Sequence, residues 1–218
     1  MIRYHLRKSN IPTSSDTNLT KSVRKEKYMN PSQNPSAVRS KNEITDTLLR
    51  LMSTIPYNEI TVKQIILESH VARKTFYRNF CSKDDVLDAY IDNIMYQYVE
   101  SLQQMEGGQL SNTLDIIFNF CTQYKNLLFL LRDNHLMYLL LEKWNAFIPV
   151  IHNQITGDNC IISHSFSSEQ ISYIIAFNIG AVWNVIMKWI AYDMRETPDT
   201  IKRTLLNYLA GLSSYATP

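Results

Sequence analysis

Glycine is scarce in this sequence. Only 5 of the 218 residues are glycine, about 2% against a usual share of ~7%. Turns with a positive φ and loops that wrap phosphate groups both depend on glycine. Neither G-x-G-x-x-G nor G-x-x-x-x-G-K is present, so a nucleotide-binding fold is disfavoured. Few glycines, together with long stretches of apolar residues at helical spacing, predict an all-α chain.

Cysteine and histidine are few and scattered. The three cysteines, Cys81, Cys121 and Cys160, are odd in number and form no C-x-x-C pair. They are typical of reduced thiols in a cytoplasmic protein rather than of a disulfide framework or a zinc site. Cys160 and His164 are four residues apart, but two possible ligands do not make a metal site. No metal site and no cofactor are therefore predicted.

Long uncharged runs are nearly absent. The longest in the second half, residues 170–187, has 18 residues, which is borderline for a membrane span. Its polar members Gln170, Asn178 and Asn184 would be costly in hydrocarbon, so we predict a helix buried in protein and no membrane association. No apolar run follows the charged N-terminus, so no signal peptide is predicted and a cytoplasmic location is expected.

The charges are distributed unevenly along the chain. Residues 1–35 carry seven Lys/Arg and two acidic residues, a balance of +5, residues 36–85 carry +2 and residues 86–218 carry −5, which together give the net +2. The excess of basic residues in the N-terminal part indicates that this part binds a polyanion. Residues 1–35 show no apolar periodicity and predict a disordered basic tail. Met29 is an alternative start of translation, so whether residues 1–28 belong to the native protein is open.

Beyond this tail, apolar residues recur every three or four positions, as they do on one face of a helix. In the first half the pattern predicts helices over residues 36–55, 62–68, 72–79 and 83–105. In the second half it predicts helices over residues 110–124, 127–135, 136–155, 168–192 and 199–212. The sequence contains no run with period two that is long enough to predict a strand.

The segment Thr61–Lys83 has the spacing of a helix-turn-helix. Counting Val62 as the first position, Ile65 is fourth, Val71 tenth and Phe76 fifteenth. At these offsets the two short helices pack against each other. The spacing predicts that these apolar residues, with Ile66 and Phe80, are buried.

The opposite face of the second short helix is basic and polar. It carries Arg73, Lys74, Thr75, Tyr77 and Arg78. Arginine and lysine donate to guanine edges, threonine offers a hydroxyl and a methyl group, and tyrosine reaches phosphate oxygens. The face therefore suits a DNA major groove, although charge alone leaves open a solvated basic face on an ordinary helical hairpin.

Residues 71–87, VARKTFYRNFCSKDDVL, resemble the DNA-binding signature of the tetracycline-repressor-like (TetR) family of transcription regulators. That signature has a Thr-aromatic-Tyr triplet, an aromatic residue three positions on, and a short link to a helix that begins Lys-acid-acid-apolar-Leu. The resemblance covers about residues 36–100. It implies a three-helix helix-turn-helix DNA-binding domain there, and a C-terminal helical regulatory and dimerisation domain over residues 101–218.

The resemblance also implies roles for single residues. Three residues are expected to read bases: Arg73, Lys74 and Thr75. Three are expected to contact phosphates: Thr61, Tyr77 and Lys83. Two suit either role: Arg78 and Asn79.

Two positions depart from the family pattern. His70 stands where the family usually has glycine in the turn, and histidine is among the residues that tolerate a positive φ. Ala72 stands where the family often has serine, and losing that N-cap costs about 1 kcal/mol. Neither change abolishes the motif.

The second half is where the family's members resemble one another least. The resemblance implies dimerisation through a four-helix bundle, with two helices from each subunit. The helix over residues 168–192 is apolar almost all round, and a subunit interface is predicted there at Ile175, Ile179, Val182, Ile186 and Trp189. A ligand pocket is assigned to Phe118, Tyr124, Tyr138, Trp144 and His152; the alternative is that these residues fill a core.

These observations predict a homodimer that binds a near-palindromic operator in double-stranded DNA and represses transcription until a small-molecule inducer releases it. Two alternatives stay open. One is an activator of the same family that is controlled by a protein partner, and the other is a helical adaptor without DNA binding. No nucleophilic triad or pair of catalytic carboxylates is indicated by the spacings, so an enzyme is not expected.

Overall fold

The computed structural model describes residues 35–104, 110–155 and 166–215. The predicted basic tail lies outside this range except for its last residue. The chain divides into two compact units, residues 1–42 and 43–218. In the first unit, residues 35–42 are described and are helical.

Every regular element in the described ranges is helical. The helices are α1 (Pro35–Met52), a 3-10 turn (Tyr57–Glu59), α2 (Val62–Glu68), α3 (Arg73–Asn79), α4 (Lys83–Gln103), α5 (Leu110–Gln123), α6 (Lys125–Asp133), α7 (Met137–Ile155), α8 (Ser168–Ala191) and α9 (Pro198–Tyr215). The predicted all-α class is confirmed. The predicted ends agree with these to within about three residues, because caps and prolines that act locally set most helix ends.

Side-chain caps explain several of these helix starts. The Ser82 hydroxyl accepts a hydrogen bond from the Asp85 backbone N–H at the start of α4. Ser167 and Gln170 form a reciprocal capping box at the start of α8. Each cap satisfies a backbone donor that the first helical turn leaves without an intrahelical partner, and contributes about 1 kcal/mol.

Within residues 43–218, the rest of α1 and the helices α2–α4 share one apolar core. Phe76 of α3 is fully buried, together with Ile44 and Leu48 of α1 and Ile91 of α4. The core continues through α5–α8, where α4 packs against α5 and α7, and α8 packs against α7. Fully burying a side chain such as Phe76 contributes about 1.5–3 kcal/mol to the stability of the folded chain. The contacts of Phe76 with this core therefore fix the position of α3.

A partly buried cluster of one lysine and two aspartates adds a polar connection between α4 and α7. Lys143 Nζ lies 2.7 Å from Asp88 Oδ1 and 2.6 Å from Asp92 Oδ1. Desolvation alone would lower the pKa of Lys143, but the hydrogen bonds to both carboxylates outweigh it and raise that pKa. The ammonium therefore stays charged between its two acceptors.

Helix α8 carries the residues of the predicted subunit interface, and most of them are covered within their own chain. Ile186 and Trp189 belong to the apolar core, and Val182 packs against it. Ile175 and Ile179 are each 8% exposed. These five side chains therefore offer little surface to a second chain. The opposite face of α8 is the exposed one.

That opposite face is apolar. Tyr173 and Phe177 are 78% and 74% exposed, and Ala181 continues the same row four residues on. By length and composition α8 is also able to cross a membrane, a test that core helices of soluble proteins pass as well. The exposed apolar row needs a partner of some kind.

Candidate DNA-binding site

The turn between α2 and α3 has the backbone that its sequence predicts. His70 adopts φ 54°, the left-handed region that favours glycine, which confirms the expectation from its place in the turn. Ala72 follows as the N-cap of α3 with φ −61° and ψ 140°, and no side-chain cap is formed. The turn therefore has the geometry of a helix-turn-helix, although the backbone of His70 is strained and the N-terminus of α3 has no side-chain cap.

The apolar positions of the helix-turn-helix point inward, as predicted. Ile65 and Phe76 are fully buried, and Val71 and Phe80 are 8% and 6% exposed. Ile66 is only half-buried. With one face of α3 fixed against the core, its other face must point outward.

That outward face of α3 carries four exposed side chains: Arg73, Lys74, Tyr77 and Arg78. Tyr77 is 49% exposed, and the guanidinium carbon of Arg73 lies 5.5 Å from its ring centroid. This cation–π contact preorganises the arginine. Among the described residues, no carboxylate forms an ion pair with the three cations of α3. A phosphate backbone is therefore an available counterion.

Thr75 and Asn79 lie at the edge of this face and are half-buried. The Asn79 Nδ2 donates a hydrogen bond of 2.8 Å to the Thr75 carbonyl of its own helix. The amide is thus oriented by α3 itself, and its oxygen and its second N–H are left for other partners.

Thr61 begins α2 as an exposed capping residue. Its hydroxyl accepts from the Gln64 backbone N–H at 3.2 Å and donates to Gln64 Oε1 at 2.8 Å. The Gln64 side chain in turn accepts from the Thr61 backbone N–H at 2.8 Å. The hydroxyl proton is therefore already committed to the capping box.

Lys83 is used differently from the role that the family resemblance implied. Its ammonium donates to three backbone carbonyls, those of Tyr57 at 2.5 Å, Asn58 at 3.3 Å and Ile60 at 2.8 Å, and lies 4.6 Å from the centre of the Tyr57 ring. An ammonium has three protons, and all three have acceptors inside the chain. Lys83 therefore holds the α1–α2 connection together, and its ammonium has no proton left over for the phosphate contact that the family resemblance implied.

Tyr57 is a further residue of this site that sequence reasoning missed. Its hydroxyl donates to Asp84 Oδ1 at 2.6 Å. Burial, followed by the hydrogen bond to Asp84, raises the pKa of Tyr57, so the hydroxyl stays protonated and keeps donating. No local signal could have revealed this, since 27 residues separate the partners.

Two family models match the chain. Residues 44–90 match the bacterial regulatory proteins of the tetR family, and residues 109–211 match a transcriptional regulator C-terminal region. The chain belongs to the TetR family of transcriptional regulators. The first match contains the whole helix-turn-helix, so this TetR-family regulator has the DNA-binding fold of its family.

A solved structure supports the same fold. The fatty acid degradation regulator FadR from Bacillus halodurans is 15% identical and superposes with a TM-score of 0.55, over 79% of this chain and 95% of that chain. At this identity the likeness concerns the fold alone. A search of curated proteins finds no match.

The C-terminal half of this TetR-family regulator holds the aromatic residues that the sequence analysis assigned to a ligand pocket. Phe118 and Trp144 are buried, and Phe118 meets Trp189 edge-on at 5.4 Å. Tyr124 is half-buried and donates to Gln97 Oε1 at 2.6 Å.

The other two members of that set, Tyr138 and His152, belong to α7. Tyr138 is 53% exposed on the outer face of the first turn, so its exposure does not support its assignment to a pocket. The backbone of His152 belongs to α7, and its side chain lies outside the described residues.

Proposed function

We propose that this TetR-family regulator is a homodimeric repressor that binds a near-palindromic operator and is released by a small molecule. The observation that carries DNA reading is the outward face of α3, where three cations and Tyr77 are exposed above a buried Phe76. Such a short cationic helix, held from beneath, suits entry into a major groove. Its place of action is then the cytoplasm, where the operator is.

In this proposal residues 36–100 form the DNA-binding domain and residues 101–218 the regulatory and dimerisation domain. Arg73, Lys74 and Thr75 near the start of α3 read base edges. Tyr77, Arg78 and Asn79 contact phosphates or bases further along the helix, and the exposed Thr61 borders the same site.

The proposed subunit interface is the exposed apolar surface of α8 and α9. On α8 it contains Tyr173 and Phe177, and on α9 it contains Tyr208 and Leu212, which are 63% and 44% exposed. A Cβ atom added at Gly180 of α8 would meet nothing within 4 Å, so a second helix has room to approach closely. A second copy presents the same two helices, and a two-fold arrangement covers all four.

The proposed ligand site surrounds Trp144. Its indole Nε1 is buried and has no hydrogen-bond acceptor within the part of the chain that the structure describes, a cost of about 1–3 kcal/mol. The ring stacks on Tyr98 at 5.9 Å and meets Trp183 edge-on at 5.7 Å. A largely apolar molecule that offers one acceptor to this N–H fits these surroundings.

DNA reading is tested with an operator selected from genomic fragments by the purified protein. Arg73→Ala should weaken operator binding by about 1–3 kcal/mol and relax the preference at one base position. Arg203→Ala on α9, an exposed arginine outside the site, is the matched control and should bind like the parent. Arg73→Ala binding with parental affinity and selectivity would remove the assignment.

Dimerisation is tested by size-exclusion chromatography with light-scattering detection, which gives the mass of the eluted protein. The parent should have twice the chain mass of 25.4 kDa, and Phe177→Lys should have the mass of one chain, because a cation is placed in the proposed apolar interface. Tyr96→Lys, at an exposed tyrosine of α4, is the control and should stay dimeric. A dimeric Phe177→Lys would locate the interface elsewhere.

The sign of regulation is tested with a reporter gene behind the selected operator. Loss of the regulator should raise reporter output if it represses, whereas a fall in output would favour the activator. Compounds that release the parent from DNA should lose potency against Trp144→Phe, which retains the ring stacking but lacks the N–H donor. Release by a protein fraction and by no small molecule would favour control by a protein partner.

A further inference from the structure

We propose that Asn134, at the C-terminal end of α6, is a positioning residue that sets the distance between the two DNA-reading helices of the dimer. It does so by tying the α1–α2 connection to the last turn of α6, which Arg132 joins to the end of α8. This inference rests on the proposed function and names a part of its regulation.

The Asn134 side chain bonds to both ends of the α1–α2 connection. Its Oδ1 accepts from the Tyr57 backbone N–H at 2.7 Å, and its Nδ2 donates to the Met52 carbonyl at 3.2 Å. These bonds span 77 and 82 residues of sequence. One amide therefore holds the last residue of α1 and the first residue of the 3-10 turn at the same time.

Asn134 is itself held rigidly by its own helix. Its Nδ2 also donates to the Leu130 carbonyl at 2.9 Å, and its backbone N–H donates to the same carbonyl at 3.1 Å. His135 follows with φ 58°, and the Leu136 N–H closes the end of the helix onto Leu131 at 2.7 Å. A movement of α6 is therefore passed to the amide rather than absorbed by a flexible side chain.

From Tyr57 the contacts continue to the residues next to the DNA-reading helix. Tyr57 meets both Lys83 and Asp84, the first two residues of α4. Only Phe80, Cys81 and Ser82 separate α4 from the end of α3. The 3-10 turn is thus the point through which α6 reaches the helix-turn-helix.

The same turn of α6 also contacts the C-terminal end of α8. Arg132, two residues before Asn134, donates through Nη1 to the Ile190 carbonyl at 2.8 Å and to Asp193 Oδ1 at 2.9 Å. Helix α8 carries the proposed subunit interface. Residues 132–134 therefore join, through a single turn of α6, the interface helix to the connection that holds the DNA-binding helices.

In a two-fold dimer, the position of each DNA-binding domain relative to α8 fixes the distance between the two copies of α3. An operator with the matching spacing is then bound in two major grooves at once, and one with a different spacing is not. Both ends of this bridge are polar contacts between defined atoms. A ligand that shifts α6 relative to α8 would therefore change the distance between the two copies of α3.

The experiment measures affinity for synthetic duplexes that carry the selected half-sites at their native spacing and at spacings altered by one or two base pairs. Asn134→Ala should reduce the ratio of affinities for native over altered spacing about tenfold relative to the parent, because the DNA-binding domain of the variant is held less firmly in position. A residue that only stabilises the fold would lower all affinities together and leave this ratio unchanged. Asn126→Ala, at an exposed asparagine of the same helix, is the control and should keep the parent's ratio.

Two further variants extend the test. Asn134→Asp retains the acceptor for the Tyr57 N–H but turns a carboxylate oxygen toward the Met52 and Leu130 carbonyls, so it should lose the spacing preference at least as far as Asn134→Ala. The next variant, at Arg132, carries the test if the Asn134 variants fail to fold. Arg132→Met should lose the preference as well, and the double variant should lose less than the sum of the two, since both act through one bridge.

An unchanged spacing ratio in Asn134→Ala and Asn134→Asp would overturn this inference while leaving the repressor proposal intact. A parent that retains no fragment in the genomic selection would instead remove the proposed function itself.

Discussion

The internal role of Lys83 makes a quantitative prediction for Lys83→Met, which removes the ammonium and keeps most of the aliphatic stem. The variant loses three hydrogen bonds to backbone carbonyls and a cation–π contact with Tyr57. Hydrogen bonds from charged donors are worth about 1.5–3 kcal/mol each when well shielded. Here the Asn58 bond is long and the turn is partly exposed, so water replaces part of the loss.

After this discount, the expected fall in the free energy of unfolding is about 2–3 kcal/mol, with the cation–π contact supplying about 0.5–1 kcal/mol of it. For a chain of this size that corresponds to a Tm lower by about 5–10 °C. Thermal unfolding followed by circular dichroism measures the shift, and urea unfolding gives the free energy.

Lys74→Met is the matched control, because Lys74 is exposed on the outward face of α3. It should change stability by less than about 0.5 kcal/mol and weaken operator binding. The reasoning would be refuted if Lys83→Met melted with the parent but lost operator binding as Lys74→Met does. The ammonium would then be acting on DNA and not on the carbonyls.

Three further predictions concern the turn and the thiols. His70→Gly should raise the free energy of unfolding by about 0.5 kcal/mol, since it removes ~1–2 kcal/mol of left-handed strain at an entropic cost of ~0.5–1 kcal/mol; urea unfolding of parent and variant checks this, and a fall would contradict it. Ala72→Ser should add about 1 kcal/mol by capping α3, whereas Ala72→Val, which has no cap, should not. Burial raises the pKa of Cys121 to about 12, so at pH 8 its thiol stays protonated and maleimide should label the exposed Cys81 first; peptide mapping after a short pulse decides, and equal labelling would show that Cys121 is accessible.

The helix-turn-helix is the part of the molecule that sequence patterns predicted best. The bounds of α2 agree with the prediction to the residue, and Phe76 is buried as its offset from Val62 requires. The positive φ of His70 was expected from its place in the turn. Each of these properties depends on interactions within about four residues, or on one apolar face, and both are visible in a single sequence.

The role of Lys83 and the inner face of α8 were not predictable in this way. The acceptors of Lys83 lie 23–26 residues away along the chain, so no local pattern names them. Helix α8 is apolar on nearly every side, so periodicity does not say which row faces its own subunit. Only packing against α7 places Ile186 inside and Phe177 outside.

The sequence alone determined where the helices begin and end, and which residues of α3 are basic, because capping, helical period and turn chemistry are local. The tertiary structure alone decided which of those residues are engaged inside the chain and which remain exposed. It also decided that Asn134 meets a connection 77 residues away, because contacts between distant segments depend on how whole helices pack against one another.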